Sequence, residues 1–424
     1  MAAGDLTDVE RRVLAAVDDE DTLTVLDALI SVPSEGGSQA EVDIQHRSAD
    51  RLADLGLEVD LWPLNLDELR AVEDYPGEEV ARNQAWGLVG TSTGDGLPAL
   101  ILQGHLDVVP PGDRTAWSGD PYEPRVVNGS VVGRGACDMK GGVAALLGAV
   151  SAVVRSGVPL VRPYAVHLVI GEEDGGIGAF GTIRRGHRGE ACVIPEPTNL
   201  ELITATAGAL SFRIEVPGRA THGSTRYVGS SALDSYLAIH AALQDLEARR
   251  NADPEPLLRH LPVPYPLSVG RVRTGDWAST VPDLLVAEGR YGIRVTEQPS
   301  DARRELETAV AAAAAGDLYL RDHPPRVTWF GGQFHGGQLL AGHRLRHLVG
   351  QAHADVTGGP PPEEHGAPYG SDLRHYAAAG IPTLHYGPGD VRLAHSPDES
   401  IPLDQHASAT RVLALVLVRS CANP

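Results

Sequence analysis

The stretch PALILQGHLDVV, residues 98–109, decides the fold, because a long apolar run here leads into a histidine and an aspartate. Such a run is typical of a strand covered on both faces, as in parallel sheets. Residues 8–30 and 141–157 predict helices, and residues 164–170 and 191–194 predict two more strands. Strands that alternate with helices predict an α/β fold with a mostly parallel sheet and helices on both faces.

The pattern of the chain changes at about Ala209 and changes back at about Gly331. Between these points, exposed alternating strands and an alanine-rich helix predict a compact α+β insert. We therefore expect one α/β domain built from residues 1–208 and 332–424, interrupted by a smaller α+β domain of residues 209–331.

The composition is that of a folded protein with a substantial core. Of the 424 residues, 42% are hydrophobic and 21% are charged, which argues against a mainly disordered chain. Asp and Glu number 56 against 35 Lys and Arg, a formal charge of −21, and no basic patch runs along the chain. Nucleic acid and anionic membrane surfaces are therefore not expected partners, and the acidic surface is compatible with good solubility.

Three features of the sequence predict a cytoplasmic protein. The first residues, MAAGDLTDVERR, lack the basic segment and apolar core of a signal peptide. The longest apolar stretch, residues 141–154, is too short to span a bilayer. The chain has only three cysteines, Cys137, Cys192 and Cys421, which are too few for a disulfide framework.

Polar clusters follow the predicted strands, where open α/β sheets place their ligand sites. They are HLDVVP at 105–110, GRGACDMKGG at 133–142, GEEDGG at 171–176, IPEPTN at 194–199 and, in a later loop, AHSPDES at 394–400. In the first cluster, His105 and Asp107 are two residues apart on a strand, so their side chains point to the same side. Asp107 can then hold the second ring nitrogen of a metal-bound imidazole.

Each cluster taken alone also has an ordinary structural explanation. His105 and Asp107 can meet by chance in a loop, and Asp138 can cap the helix that follows it. The glutamates can be surface carboxylates, and the histidine of the last cluster can be a solvent-exposed loop residue. Cys137 is a soft metal ligand in principle, but nearby carboxylates disfavour its thiolate, so we expect a packed thiol.

Taken together, the clusters indicate a hydrolytic metal site. Two histidines and several carboxylates, with one more carboxylate left over as a base, are what a two-metal hydrolase needs. Mixed carboxylate and imidazole ligands suit Zn²⁺, with Co²⁺ or Mn²⁺ as substitutes. In GEEDGG, one of the adjacent carboxylates can bind a metal while the other acts as the general base.

The motifs occur in the order of a known family. GHLDVVP, then W-x-x-x-P-x-x-P with GRGACDMKGG, then GEEDGG, EPTN and AHSPDES resemble the motifs of the dinuclear zinc deacylases and exopeptidases. That family includes acetylornithine deacetylase, succinyl-diaminopimelate desuccinylase, aminoacylase and glutamate carboxypeptidase. The resemblance spans roughly residues 10–420, and GSDLRHYAAAGIPTLHYGPG, residues 370–389, is most similar to the acetylornithine-deacetylase-like branch.

The resemblance implies a role for each candidate site residue. The metal ligands are Asp138, which bridges two ions, with His105 and Glu196 at one ion and Glu173 and His395 at the other. Asp107 orients the first histidine. Glu172 is the general base, which takes a proton from a water that bridges the metals and later passes it to the leaving amine.

The resemblance also assigns the insert as a lid that mediates dimerisation. His222, in GRATHGS, matches a lid residue that reaches the active site of the neighbouring subunit, where it stabilises the oxyanion of the tetrahedral intermediate. Many members have Asn shortly before the lid's V-P-D, whereas this chain reads ASTVPD, so Ser279 or Thr280 has to substitute. Candidates for binding a substrate carboxylate are Arg290, Arg294 and Arg374.

These expectations define a cytoplasmic, homodimeric two-metal amidohydrolase. It cleaves the acyl group from a small N-acyl amino acid or a similar amine. The alternative within enzymes is a dipeptidase or carboxypeptidase that uses the same site on a peptide bond. A metal-binding module without catalysis is the alternative from another class, and Glu172 counts against it, because metal binding alone needs no general base.

Overall fold

The computed structural model of the chain describes residues 6–422. Its α-helices are α1 (Asp8–Ala15), α2 (Asp19–Ile30), α3 (Gln39–Asp54), α4 (Leu66–Arg70), α5 (Gly141–Ser156), α6 (Ile177–Arg185), α7 (Ala232–Arg250), α8 (Pro299–Ala315), α9 (Arg344–Thr357), α10 (Leu373–Ala378) and α11 (Leu403–Cys421). Its strands are β1 (Glu58–Pro63), β2 (Trp86–Thr91), β3 (Leu100–His105), β4 (Arg125–Val127), β5 (Ser130–Val132), β6 (Tyr164–Val169), β7 (Cys192–Ile194), β8 (Leu202–Thr206), β9 (Gly208–Pro217), β10 (Leu267–Thr274), β11 (Leu284–Ile293), β12 (Arg326–Phe334), β13 (Gly337–Gln338), β14 (Glu364–Ala367), β15 (Thr383–His385) and β16 (Ser400–Pro402).

A central sheet organises the larger domain. Its strands follow the order β1-β2-β6-β3-β7-β15-β8-β13, and β14 also pairs with β8. The strands β6, β3, β7 and β15 are parallel neighbours, whereas β1 and β2 pair antiparallel at one edge. The helix α5 packs against β3, and α3 and α6 pack against β2 and β6. The prediction of an α/β fold with a mostly parallel sheet is confirmed, with antiparallel pairing added at its edges.

The first helical segment is divided. We expect one helix over residues 8–30, but α1 ends at Ala15 and α2 begins at Asp19. Asp18 has an extended backbone, and its carboxylate accepts a hydrogen bond from the amide of Asp21 at 3.1 Å. An aspartate that caps a helix in this way starts a new helix, because it satisfies a free amide of the first turn.

One helical stretch, Ala136–Ser156, is long and apolar enough to cross a membrane by length and composition. However, 89% of its apolar window is buried inside the structure. A Cβ atom on Gly148 would lie 2.6 Å from Thr22 Oγ1 and 3.1 Å from Thr410 Cγ2, so the helix approaches its neighbours closely. The surroundings of this stretch are those of a core helix.

The smaller domain is a four-stranded antiparallel sheet with two helices. Its strands follow the order β10-β11-β9-β12, and α7 and α8 pack against each other. Buried side chains such as Phe212, Leu243 and Leu306 form its separate core. Along β10, which lies at one edge of this sheet, most residues are exposed. The insert that we expect at residues 209–331 contains β10 and β11, whereas β12 continues to Phe334.

Candidate metal centre

The parallel strands β6, β3 and β7 lie side by side and end at the same edge of the central sheet. His105 is the last residue of β3. Glu172 and Glu173 follow β6 in residues 171–176, here named the glutamate turn, and Glu196 follows β7. Side chains from distant parts of the sequence therefore converge where open α/β sheets bind their ligands.

Asp138 lies between the two histidines of the cluster. Its Oδ1 is 3.1 Å from His105 Nε2, and its Oδ2 is 3.6 Å from His395 Nε2. Each of these nitrogens has one further carboxylate nearby: Glu196 Oε1 is 4.0 Å from His105 Nε2, and Glu173 Oε2 is 2.9 Å from His395 Nε2. The two halves of the cluster share Asp138, as a pair of metal ions bridged by one carboxylate requires.

The donor atoms fit divalent metal ions. One ligand atom from each of His105, Asp138 and Glu173 lies within 4.8 Å of the others. The second oxygen of Glu173, Oε1, is buried and has no hydrogen-bond partner among residues 6–422. Imidazole nitrogens and carboxylate oxygens are ligands that zinc prefers, and a cation would satisfy the unpaired oxygen.

Burial and neighbouring charges raise the pKa of the glutamates and of His395 in the cluster. Burial raises the pKa of Glu173 to about 7, and the charge of Asp138 adds to this rise. Burial also raises the pKa of Glu196 and of Glu172 well above the ordinary value. The hydrogen bond to Glu173, opposed by burial, raises the pKa of His395 to about 9. Buried carboxylates this close together need positive charge nearby, and metal ions would supply it.

Asp107 contacts His105 through its backbone as well as its side chain. His105 Nδ1 lies 3.0 Å from the main-chain carbonyl oxygen of Asp107 and 3.7 Å from its carboxylate. The carboxylate accepts hydrogen bonds from the amides of Glu172, at 3.3 Å, and Glu173, at 3.2 Å. Asp107 therefore orients the imidazole mainly through its carbonyl oxygen, and its side chain holds the glutamate turn.

Glu399, in the motif AHSPDES, is a site residue that sequence reasoning missed. Its Oε1 accepts hydrogen bonds from the amides of Cys137 and Asp138, both at 2.9 Å. Arg134 pairs with its other oxygen and lies over the ring of Trp117. The only signal for this role in the sequence is that Glu399 belongs to the same motif as His395.

Cys137 is a packed thiol, as its carboxylate surroundings predict. Its side chain is buried, and its sulfur donates to the main-chain carbonyl of Asp390 at 3.3 Å. Burial raises the pKa of Cys137 well above its ordinary value, and the charges of Glu399 and Asp138 add to this effect. The protonated thiol is a poor metal ligand, because metals bind the thiolate.

His222 lies on the smaller domain and is exposed. Its Nδ1 contacts Ser224 Oγ at 2.7 Å. Within residues 6–422, no hydrogen bond joins its side chain to the candidate metal-binding residues of its own chain. The amide of Gly223 donates to the carbonyl of Ser279 at 2.6 Å, and Thr280 pairs with the backbone of His222. Ser279 and Thr280, the two candidates to substitute for the expected lid asparagine, therefore lie beside His222.

Arg374 is held by hydrogen bonds to the main chain. It is fully buried, and its guanidinium donates to the main-chain carbonyls of Ser371, at 2.7 Å, and Gly175, at 2.6 Å. It also lies over the ring of Phe334. Its Nη1 and Nη2 are used by main-chain carbonyls, and its Nε is buried without a partner among the described residues, so the structure gives no support to the expectation that this residue binds a substrate carboxylate.

Arg290 and Arg294 both lie near the end of β11 in the smaller domain. Arg294 donates to the main-chain oxygen of Arg250. Arg290 donates to the carbonyl of Pro368 at 3.0 Å, and burial lowers the pKa of Arg290. Across the described part of the chain, no carboxylate pairs with Arg290, so its charge is available to a ligand.

The structure combines an α/β sheet, a two-part cluster of histidines and carboxylates at the edge of that sheet, and an antiparallel insert. This combination defines a metallohydrolase of the two-metal type. Residues 101–419 match the sequence model of peptidase family M20/M25/M40. Because this match covers most of the chain, the protein belongs to that family. Membership implies a dinuclear metal site, and the family resemblance found from the motifs is confirmed at this level.

The chain is similar to two kinds of curated enzyme. It is 27% identical over 406 residues to the N-formyl-4-amino-5-aminomethyl-2-methylpyrimidine deformylase of Bacillus subtilis (strain 168), covering 90% of this chain and 89% of the relative. It is 32% identical over 321 residues to the succinyl-diaminopimelate desuccinylase of Xanthomonas euvesicatoria, covering 73% of this chain and 80% of the relative. The resemblance to the acetylornithine-deacetylase-like branch stays a prediction.

Solved structures share the fold at low sequence identity. The di-peptidase Dug1p of Saccharomyces cerevisiae has a TM-score of 0.74 at 14% identity, covering 98% of this chain and 99% of that one. A tripeptidase of Staphylococcus aureus has a TM-score of 0.73 at 18% identity, covering 95% of this chain and 99% of that one. At these identities the likeness shows the fold alone.

Proposed function

We propose that this metallohydrolase removes the acyl group from an N-acyl amino acid or a related N-acyl amine. The observation that carries the proposal is the division of the glutamate turn: Glu173 contacts His395, whereas Glu172 is 8% exposed and stands outside these contacts. A buried carboxylate beside metal ligands is what a general base requires. The names of the relatives, a deformylase and a desuccinylase, support an acyl group as the part removed.

In this proposal the residues of the cluster divide the work of hydrolysis. The groups that hold the metals are His105, Asp138 and Glu196 for one ion, and Asp138, Glu173 and His395 for the other. Bound ions would supply Lewis-acid polarisation of the scissile carbonyl. Glu172 accepts a proton from the attacking water and passes it to the leaving amine. Burial raises the pKa of Glu172, which suits a carboxyl group that holds a proton between these two transfers.

Arg290 is our candidate for the group that binds the carboxylate of an amino-acid substrate. Its guanidinium is half-buried, has one hydrogen bond to Pro368 and faces no carboxylate of the described chain. A guanidinium in partly desolvated surroundings binds a carboxylate with two parallel hydrogen bonds. This assignment favours N-acyl amino acids over N-acyl amines that lack a carboxylate.

We also propose that the smaller domain forms a homodimer. Large apolar side chains are exposed on this domain, among them Tyr227 at 81%, Leu237 at 60% and Trp277 at 74%. The strand β10 leaves one edge of the sheet unpaired within the described residues, and such edges readily pair with a second chain. A second copy placed here would cover the apolar residues close to His222.

A substrate panel tests the proposal. N-formyl, N-acetyl and N-succinyl amino acids are compared with dipeptides and with N-acyl amines that lack a carboxylate, using enzyme loaded separately with Zn²⁺, Co²⁺ and Mn²⁺. We expect hydrolysis of the N-acyl amino acids, which EDTA abolishes and added metal restores. Arg290→Met should raise KM for these substrates about 10- to 100-fold, since a hydrogen-bonded charge is lost, while Arg294→Met should change it little.

Two results would replace the proposal. Faster hydrolysis of dipeptides than of every N-acyl amino acid would make the protein a dipeptidase or carboxypeptidase. Stoichiometric metal binding without hydrolysis of any compound in the panel would support a metal-binding module instead.

A further inference from the structure

An arginine outside every motif lies behind the glutamate turn. Arg82 is 3% exposed, and its guanidinium pairs with two buried carboxylates. Its Nε and Nη2 contact the two oxygens of Glu41 at 3.0 and 2.8 Å, and its Nη1 contacts Asp174 Oδ2 at 2.7 Å. Asp174 belongs to GEEDGG and lies two positions after Glu172. The guanidinium therefore joins helix α3 and the loop before β2 to the turn that carries the proposed base.

Charged groups hold the glutamate turn from three directions. Asp107 accepts hydrogen bonds from the amides of both glutamates, and Arg374 donates to the carbonyl of Gly175. Arg82 holds the aspartate of the turn, and a Cβ atom on Gly171 would lie 3.2 Å from its Nη2, so the guanidinium also lies against the start of the turn. The backbone on both sides of the glutamates is thereby fixed.

The segment of residues 76–82 also contacts the smaller domain. The amides of Glu79 and Val80 donate to Asp174 Oδ2 at 3.3 and 3.0 Å. At the other end of the segment, the amide of Gln333, in β12, donates to the carbonyl of Pro76 at 2.6 Å. The aspartate of the glutamate turn is therefore held by a segment that lies between the turn and the insert.

We propose that Arg82 is a positioning residue for hydrolysis: through Asp174 it holds the glutamate turn so that Glu172 faces the attacking water. This inference rests on the proposed role of Glu172. The planar guanidinium makes three contacts at once, whereas a lysine ammonium is a single point charge and does not reproduce them. A displacement of about 1 Å at a catalytic group can cost about 10²-fold in rate.

The test compares Arg82→Lys with Arg250→Lys in purified, metal-loaded protein. Arg250 is a matched control, since it is 1% exposed and pairs with Glu297 and Glu305 in the smaller domain. We expect kcat for the best N-acyl amino acid of the panel to fall about 10²-fold in Arg82→Lys, with KM and metal content unchanged. Hydrogen–deuterium exchange should become faster in the glutamate turn. The control variant should keep kcat within about threefold, even where its thermal stability falls similarly.

A double variant separates positioning from a general structural effect. In a Glu172→Gln background the base is absent, so adding Arg82→Lys should change the remaining rate less than about threefold. An equal fold-loss in both backgrounds, or unchanged exchange in the glutamate turn, would overturn the inference. Should Arg82→Lys fail to fold, Asp174→Ala removes the carboxylate that Arg82 contacts and is expected to give the same results. If Glu172→Gln itself has near-normal turnover, the proposed function fails rather than this inference alone.

Discussion

Glu172 and Glu173 are neighbours in the chain, but their surroundings differ, and we propose different tasks for them. Glu173 Oε2 is 2.9 Å from His395 Nε2. The amide of Glu172, in contrast, donates to the carboxylate of Asp107. Within the described residues, the carboxylate of Glu172 forms no ion pair with a histidine. We expect Glu172→Gln to retain metal and to lose at least about 10²-fold in kcat, because the base is removed while size and polarity are kept. Glu173→Gln should lose metal, as measured by elemental analysis. Metal loss in the first variant with retention in the second would reverse the two roles.

The candidate metal-binding residues can be recognised in the sequence, but the residues that hold them in position cannot. His105 and Glu196 stand at the ends of strand-like runs, so a sheet edge predicts that they meet, and Asp138 stands in a glycine-rich turn before an apolar helix. Glu399 and Arg82 act through hydrogen bonds to residues that are far away in the chain. Glu399 and Cys137, for example, are 262 positions apart. Periodicity describes only near neighbours along the chain, so no sequence pattern indicated these contacts.

His406 makes stability depend on pH. It is buried in α11, and its Nε2 has no hydrogen-bond partner among the described residues. Burial lowers the pKa of His406 to about 4 from an ordinary value of 6.5. A group whose pKa is lower in the folded state contributes stability above pH 6.5, and this contribution is lost as the pH falls towards 4.

Replacing this histidine should therefore weaken the acid sensitivity of the fold. Between pH 7 and pH 5, urea unfolding of His406→Gln should show about 2 kcal/mol less loss of stability than the unmodified chain. The exposed His323 offers a control, because His323→Gln should leave the pH dependence as it is. An identical pH dependence in His406→Gln would show that the ring is not buried as a neutral group.

At the scale of elements, helix α5 packs against the strand end that carries Glu196, which we propose as a metal ligand. A Cβ atom on Gly142, in its first turn, would lie 1.9 Å from the carbonyl oxygen of Pro195, the residue before Glu196. Gly142→Ala should therefore cost about 1–3 kcal/mol in urea unfolding and weaken metal binding in a titration, since the strand end has to move. In Gly350→Ala, on α9, the new methyl group meets Pro361 at an ordinary 3.5 Å, so stability should stay constant or rise by up to about 1 kcal/mol. Equal metal affinity in both variants would contradict the argument.

The elements that were predicted are those whose pattern agrees with their packing. The expected helix at residues 141–157 is observed as Gly141–Ser156. Its apolar run determines both the predicted and the observed helix, and Gly157 ends it. Helix α6 was missed, because Gly178 and Gly181 lower its helix propensity. A Cβ atom on Gly178 would lie 2.4 Å from the carbonyl of Ile170, so close packing against the end of β6 requires the glycine and stabilises the helix.

At the scale of the whole molecule, the change of pattern near Ala209 indicated an insert, and the antiparallel sheet between Gly208 and Phe334 accounts for it. We propose that the role of the insert depends on a second subunit. His222 is exposed and has no hydrogen bond to the metal cluster of its own chain within the described residues. We propose that it donates to the oxyanion in the site of a partner subunit. The pattern of the sequence contains no information about which chain this side chain reaches.

Mixing two inactive variants tests this arrangement. Removal of one oxyanion donor typically costs about 10²–10³ in rate, so His222→Ala should lose turnover in that range while keeping its metal. In a heterodimer of His222→Ala with Glu172→Gln, one site carries both defects and the other carries neither. The heterodimer should recover up to about half of the activity of the unmodified enzyme, which neither parent homodimer reaches. If His222 acts within its own chain, every site keeps one defect and no activity returns. The trans role is therefore rejected if subunit exchange, measured by mass spectrometry of the mixed dimers, occurs without recovery of turnover.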